Sequence, residues 1–291
     1  MVNAGKTKRL YESLAMNQSS KLLNIYTAFF LVFLFTPMIL LMVASVNDHS
    51  PPSVADWRGF TAKWYSFYWA SEDVIRSDDV LRSLDRDRFI RCFANSLTVA
   101  SIVVPLSLIL GMAGAITLTK LNTKYNSFLW WLLLSPMLAP GIILGLSTLI
   151  FWRDFGVNAG LFTIIMAQTT FISSYPMLII MARLQRQPHE LEHAAFDLGA
   201  GPIRTFWRIT LPFLFPALAS SAVVAFLASV ENYNTTMFAK GGSCTLATEI
   251  GSMVRNPNGH PPIINALGTF IIIFTLGFAI IYTFVYQKKD R

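Results

Sequence analysis

Six long stretches of the chain contain no Asp, Glu, Lys or Arg, and they constrain its fold more than any other feature. Their bounds are Leu22–Val46, Phe93–Thr119, Tyr125–Trp152, Phe155–Ala182, Pro212–Val230 and Ile263–Tyr286. A helix needs about 20 mainly apolar residues to cross the hydrocarbon core of a bilayer. The pattern therefore predicts an all-α integral membrane protein with six transmembrane helices.

The composition excludes several other classes of protein. Only 13% of the 291 residues are charged and the mean hydropathy is +0.50, whereas soluble proteins carry about 25% charged residues. An ordinary cytoplasmic enzyme, a disordered chain and a nucleic-acid-binding protein are all excluded. The first stretch is also too long for a cleaved signal peptide, whose apolar core has roughly 7–15 residues.

The positions of Lys and Arg predict the orientation in the membrane. With the N-terminus inside, the inner segments hold 13 of the 23 basic residues and five of the 16 acids, which leaves the outer segments almost neutral. Because inner loops carry an excess of basic residues, we expect both termini to be cytoplasmic.

The spans divide the chain into five parts. We expect a cytoplasmic tail at 1–21, a first span at 22–46, an outside segment at 47–91, a five-span core at 92–286 with a cytoplasmic loop at 183–211, and a second tail at 287–291. The outside segment begins with aromatic residues, among them Trp57, Trp64, Phe67 and Trp69. Its second half is densely charged. We expect an interfacial aromatic belt followed by a solvated helix; the alternative is a docking surface for an outside partner.

The loop at 183–211 has the pattern of a helix, a turn and a second short helix. Pro188 suits a helix start, and acids follow it at the positive end of that helix. Gly199 is placed to end the helix, and Gly201–Pro202 indicates a turn. A second short helix that contains Phe206 and Trp207 is expected before Pro212 opens the fifth span.

The same loop resembles the cytoplasmic signature of permease subunits in binding-protein-dependent ABC importers, namely Glu-Ala-Ala, three residues, Gly, nine residues, Ile-x-Leu-Pro. The matching residues are Ala194, Ala195, Gly199, Ile209, Leu211 and Pro212. His193 stands where the family has its Glu. The resemblance implies that this loop is the coupling helix that contacts the ATPase, with Glu190 and Glu192 as the candidates for the ionic contact.

Membership of that family implies the type I ABC importer permease fold and a multi-pass protein of the bacterial inner membrane. It implies four partner subunits of three kinds: a second permease subunit, two cytoplasmic ATPase subunits, and a periplasmic or extracellular solute-binding protein. The lipid bilayer is the other partner, and no nucleic acid is implied. The chain has no G-x-x-x-x-G-K-[ST] phosphate loop. We therefore expect no catalytic residue and no cofactor in this chain, with ATP and Mg bound by the partner ATPases.

The C-terminal part is similar to the second permease subunit of spermidine/putrescine importers. The similarity lies in Ile250–Arg255 and Pro262–Leu267. It implies that the chain forms half of the pathway for a polyamine-type solute. Importers of opines, phosphonates and other organic cations share this branch, so those solutes are the alternatives.

Two functions of other classes compete with the importer. His189-Glu190-Leu191-Glu192-His193 satisfies the H-E-x-x-H pattern of zinc proteases, but a third ligand on the same side is missing. Six spans alone are also compatible with a channel. Neither alternative explains the spacing of the loop signature, and we expect no metal site.

Four polar residues at the span ends are candidates for the solute pathway, because polar groups at membrane depth often line one. They are Glu231, Asn232, Asn234 and Gln168. For Gln168, hydrogen bonding between helices is the alternative. Gly141 and Gly145 form a small-xxx-small pattern that indicates close helix packing. Cys92 and Cys244 both fall on the outside; we expect them to be unpaired, with a disulfide as the alternative.

Overall fold

The computed structural model describes residues 2–120, 125–255, 259 and 261–287, and within them the side chains of 23–277 other than that of His189. The described residues are helical, with one isolated antiparallel bridge between Asn47 and Phe60. The helices are α1 (Val2–Ser45), α2 (Lys63–Ser66), α3 (Glu72–Arg76), α4 (Asp79–Arg82), α5 (Arg86–Lys120), α6 (Asn126–Leu138), α7 (Gly141–Asp154), α8 (Leu161–Ile172), α9 (Ser174–Leu184), α10 (His189–Asp197), α11 (Pro202–Thr205), a π-helical turn (Phe206–Thr210), α12 (Leu211–Val230), α13 (Asn234–Ala239), α14 (Leu246–Val254) and α15 (Ile263–Gln287).

Four described stretches are long and apolar enough to cross a membrane, which confirms a helical membrane protein. They are Leu23–Ser45, Arg86–Lys120, Leu161–Leu184 and Pro202–Val230. The pair α6 and α7 makes a fifth if it counts as one bent span. The predicted sixth span lies on α15, whose described side chains form a shorter apolar stretch, Ile263–Gly277.

The third predicted span is wrong as a continuous helix, because α6 and α7 meet at an angle of 101°. Ala139 between them is extended, with φ −73° and ψ 139°. It precedes Pro140, whose ring clashes with a helical residue before it and forces that residue out of the α region. With 13 residues, α6 is about 20 Å long and too short to cross the core alone.

The bounds of the next two spans also differ from the prediction. The fourth begins at Leu161, because residues 155–160 lie in the turn that follows α7. The second short helix expected before Pro212 is instead continuous with the fifth span, from Pro202 to Val230. Pro212 has no N–H to donate, and the π-helical turn just before it, where Leu211 N donates to Phe206 O, accommodates the missing bond.

The chain separates into two compact units, 1–84 with 254–291 and 85–253. In the first unit α15 packs on α1, where the Thr269 hydroxyl donates to Oγ of Ser45 at 3.1 Å. The charged second half of the segment between α1 and α5 contains two short helices, α3 and α4, before α5 begins at Arg86, so the single solvated helix predicted there is wrong. The aromatic belt is also only partly present: Trp64 and Phe67 are buried in the core of this segment, whereas Trp57, Phe60 and Trp69 are exposed.

The second unit is a bundle of α5, α8, α9 and α12, with α6, α7 and α13 packed around it. Two apolar clusters fill it. One contains Val99, Val103, Ile164 and Ile172, and the other contains Ala115, Ile180 and Leu214. Gly111 lets α5 approach α9, since a Cβ at this residue would lie 2.8 Å from the Met177 nitrogen.

Candidate functional site

The loop between α9 and α12 begins with α10, a short helix with well-defined ends. Pro188 precedes it in an extended conformation. At the other end Gly199 has φ +80°, Gly199 N donates to Phe196 O at 2.9 Å, and Ala200 N donates to Ala195 O at 2.9 Å. These two bonds form a Schellman cap, which favours glycine at the left-handed position. The predicted helix, its start and its glycine stop are as the sequence indicates.

Large apolar side chains are exposed on this loop. Leu198 is 89% exposed, Ile203 is 77% exposed and Trp207 is 63% exposed. An open groove lies beside them, lined by Gly199, Gly201, Pro202, Ile203, Arg204 and Trp207. We call Leu198, Ile203 and Trp207 the apolar loop patch. Large exposed apolar side chains beside a groove indicate an interaction site.

The residues of the loop signature do not all share that surface. Glu190, His193, Ala194 and Gly199 are exposed, whereas Ala195 is half-buried. Ile209 lies in the π-helical turn and Leu211 and Pro212 open α12, so these three belong to the continuous helix that leaves the loop.

Glu192 faces the bundle instead of the loop surface. Its Oε1 accepts a hydrogen bond from Lys120 Nζ at 2.6 Å, from Thr210 Oγ1 at 3.0 Å and from Gln187 Nε2 at 3.1 Å. The Glu192 side chain is 18% exposed and that of Lys120 is 39% exposed. The sequence pattern alone does not predict the roles of Lys120, Gln187 and Thr210, although the position of Lys120 at the very end of an apolar span is a signal for it.

The four pathway candidates fall into two pairs. Gln168 and Asn232 are buried. Gln168 donates to Thr236 Oγ1 at 2.7 Å and accepts from the Ser229 hydroxyl at 2.6 Å, so its amide joins α8, α12 and α13. Glu231, at the end of α12, and Asn234 are exposed. Hydrogen bonding between helices, the alternative considered for Gln168, is therefore what this side chain does in the structure.

Gly141 and Gly145 make the close helix contact that their spacing predicts. A Cβ on Gly145 would lie 2.3 Å from Thr235 O, and one on Gly141 would lie 2.9 Å from Thr235 Oγ1. Helix α7 thus packs its glycine face directly on the backbone of α13, next to the Gln168 hydrogen bonds.

Cys92 and Cys244 form a disulfide, so the prediction of two unpaired cysteines is wrong. Their Cα atoms are 5.0 Å apart, although 152 residues separate them in sequence, and sequence spacing carries no information about such proximity. The buried carboxylate of Glu249 lies beside the disulfide and pairs with Arg88 Nε at 3.0 Å. Glu249, the one charged residue of α14, is the sequence signal for this contact.

Comparison with known proteins identifies the family. The model of the family described as "Binding-protein-dependent transport system inner membrane component" matches residues 88–291. The putrescine transport system permease protein PotI of Escherichia coli strain K12 is 30% identical over 269 residues, which are 89% of this chain and 89% of that protein. The spermidine/putrescine transport system permease protein PotC of the same strain is 26% identical over 260 residues, which are 89% of this chain and 91% of PotC.

Solved structures show the same fold. A chain of a bacterial ABC transporter involved in the import of the acidic polysaccharide alginate superposes with a TM-score of 0.63 at 18% identity, covering 92% of this chain and 97% of that one. A chain of the inward-facing MetNI methionine ABC transporter gives a TM-score of 0.54 at 19% identity, covering 69% and 95%. The resemblance read from the loop signature is confirmed: the chain belongs to the binding-protein-dependent transport system inner membrane component family and is a permease subunit of an ABC importer.

Proposed function

We propose that this chain forms half of the translocation pathway of an inner-membrane polyamine importer and that α10 with the apolar loop patch binds its ATPase. The observation that carries the proposal is the exposure of Leu198, Ile203 and Trp207 on a loop whose first helix ends in a Schellman cap at Gly199. Large exposed apolar side chains on a loop between two spans are stabilised when another protein surface covers them. The ATPases, which bind ATP and Mg, are that surface.

The rest of the assembly follows from the family. A second permease subunit supplies the other half of the pathway, a second ATPase subunit binds below it, and an outside binding protein delivers the solute. ATP-driven closure of the ATPases shifts the spans between inward- and outward-facing populations. The six-span topology with both termini in the cytoplasm is part of this proposal.

The disulfide supports that orientation. Cys92 lies near the start of α5 and Lys120 is its last residue, so the disulfide and the contact between Lys120 and Glu192 are about 40 Å apart along one helix. Disulfides persist on the oxidising side of the bacterial inner membrane. If Cys92 lies outside, α10 lies in the cytoplasm, where the ATPase is.

The polyamine assignment is supported by two similar permeases, PotI and PotC, whose names give putrescine and spermidine as their solutes. Within this chain, the exposed carboxylate of Glu231 next to Asn232 and Asn234 is suited to an ammonium group. Uptake of radiolabelled putrescine by the reconstituted importer tests the identity of the solute.

Cysteine cross-linking tests the ATPase surface. In the importer isolated from native membranes, Leu198→Cys and Ile203→Cys should form cross-links to a subunit that mass spectrometry identifies as carrying a nucleotide-binding phosphate loop. Val74→Cys, exposed in the segment between α1 and α5, is the matched control and should give none. Equal cross-linking from all three positions, or none from Leu198 and Ile203, contradicts the proposal.

A further inference from the structure

The carboxylate of Glu192 connects α10 to the ends of three different parts of the bundle. Lys120 is the last residue of α5, Gln187 lies in the turn between α9 and α10, and Thr210 is the last residue before α12. All three donate to the same oxygen, Oε1, at 2.6 to 3.1 Å. The contact with Lys120 pairs two ionised groups, and such charge-assisted hydrogen bonds are the shorter and stronger ones.

Packing alone does not fix α10 to the bundle at this place. An open cleft of about 290 Å³ lies here, lined by Thr119, Lys120, Leu184, Gln187, Pro188, Glu192, His193 and Phe196. Leu191, Phe196 and Leu198 of the loop have 45% or more of their surface exposed. Among the described side chains of α10, that of Glu192 therefore makes the polar link across the cleft to α5 and α12.

We propose that Glu192 is a positioning residue that transmits the movement of α10 to α5 and α12, and that it does not contact the ATPase. The inference rests on the proposed function, because it assumes that an ATPase moves α10. It deepens that function by assigning the transmitting contact to Lys120 and Glu192 inside this chain. Glu192 lies one place before the usual position of the family Glu. In this proposal its contacts are within the permease, and the exposed loop side chains contact the ATPase.

The test measures ATP hydrolysis and solute uptake in the same proteoliposomes, with the complete importer and its binding protein. Glu192→Gln removes the charge and keeps the shape, so the complex should assemble and hydrolyse ATP. Uptake per ATP should fall by about two- to thirtyfold, the range for residues that carry coupling between sites. Lys120→Met should give the same loss, because it removes the other half of the contact.

The control is Glu72→Gln, which removes an exposed carboxylate in the segment between α1 and α5 that pairs with Arg76. Glu72 is not part of the loop between α9 and α12, so its loss should leave uptake per ATP unchanged. The charge reversal Lys120→Glu with Glu192→Lys should restore at least part of the coupling, which a role in contacting the ATPase does not explain.

The possible outcomes distinguish a failure of this inference from a failure of the proposed function. If Glu192→Gln lowers coupling and Lys120→Met does not, Glu192 acts on the ATPase and the inference is overturned. Unchanged coupling in Glu192→Gln, or an equal loss in Glu72→Gln, also overturns it, while the proposed function stands. Should Glu192→Gln fail to assemble, Lys120→Met and the charge reversal measure the same link. A wild-type importer without ATP-dependent uptake defeats both proposals.

Discussion

A disulfide joins Cys92 of α5 to Cys244. The same face of α5 also makes polar contacts with the segment 244–249. One helical turn before Cys92, Arg88 pairs with Glu249; one turn after it, Ser96 Oγ accepts a hydrogen bond from Leu246 N at 2.7 Å. The spacing of four residues places all three side chains along one stripe of the helix. A covalent bond and two polar contacts thus fix this segment to the start of α5.

The disulfide gives the first prediction. In intact cells a membrane-impermeant maleimide should label neither cysteine, and after reduction it should label Cys244 from the outside. Cys92→Ser with Cys244→Ser should lower the free energy of unfolding by about 2–5 kcal/mol, the usual cost of losing a native disulfide, as seen in the thermal unfolding of the purified importer. Labelling without reduction contradicts the disulfide, and labelling only after permeabilisation contradicts the orientation.

The contact between α7 and α13 gives the second prediction. Because a Cβ on Gly145 would lie 2.3 Å from a backbone oxygen, Gly145→Leu should destabilise the subunit by about 1–3 kcal/mol or more through overpacking. Gly277→Ala on α15 is the control, since nothing lies within 4 Å of its added methyl group. Thermal unfolding in detergent should separate the two variants, and equal midpoints are the result that contradicts the packing.

Glu231 gives the third prediction. Glu231→Gln should strongly reduce uptake of putrescine without changing expression or assembly, because a partly dehydrated ammonium group needs a compensating negative charge. Glu72→Gln is a suitable control, because Glu72 is also exposed and lies in the segment between α1 and α5. Equal putrescine uptake by wild type and Glu231→Gln removes Glu231 from the pathway.

Asp78 gives the fourth prediction, on pH. Its carboxylate caps α4 through the N–H groups of Val80 and Leu81 and lies 3.0 Å from Lys63. Burial raises the pKa of Asp78, but the hydrogen bonds from Lys63 and from the α4 backbone and the charge of Lys63 together outweigh it, so the pKa lies below its usual value of 3.8. A lowered folded-state pKa contributes stability that is present above the unfolded-state pKa and is lost as the pH falls through the folded-state value.

The matched variant for this site is Asp78→Asn, which keeps a capping oxygen and removes the charge. At pH 7 it should be less stable than wild type by about 0.2–1 kcal/mol, since the pair is partly exposed and screened. The difference in melting temperature should shrink as the pH is lowered below about 4. Glu72→Gln removes the exposed pair with Arg76 and should have a smaller effect. A difference between wild type and Asp78→Asn that grows in acid contradicts the linkage.

The sequence predicts those parts of the site that depend on local chemistry. Gly199 stops α10 because only a residue tolerant of positive φ fits a Schellman cap, and the spacing of Gly141 and Gly145 is itself a packing signal. Hydrophobic runs also locate four of the six predicted spans among the described residues, because apolar length is a local property.

Other features depend on contacts between residues far apart in the chain. Cys92 and Cys244 are brought together by the fold, and Glu192 contacts Lys120 although 72 residues separate them in sequence. Hydrophobic periodicity does not predict either contact. The break at Ala139 has a local cause in Pro140, but the uninterrupted apolar run at 125–152 concealed it. Pro212 predicts a helix boundary that the structure does not have, because the π-helical turn lets one helix continue through it.

The central claim is that this chain is half of an ATP-driven polyamine pathway, and uptake by the reconstituted importer tests it most directly. Proteoliposomes that contain the complete importer should accumulate radiolabelled putrescine only when ATP is supplied on the ATPase side and the binding protein is supplied on the other. Unlabelled spermidine should compete, and an anionic solute such as glutamate should not. Accumulation without ATP, or ATP-driven uptake of another solute with no uptake of putrescine, would contradict the account.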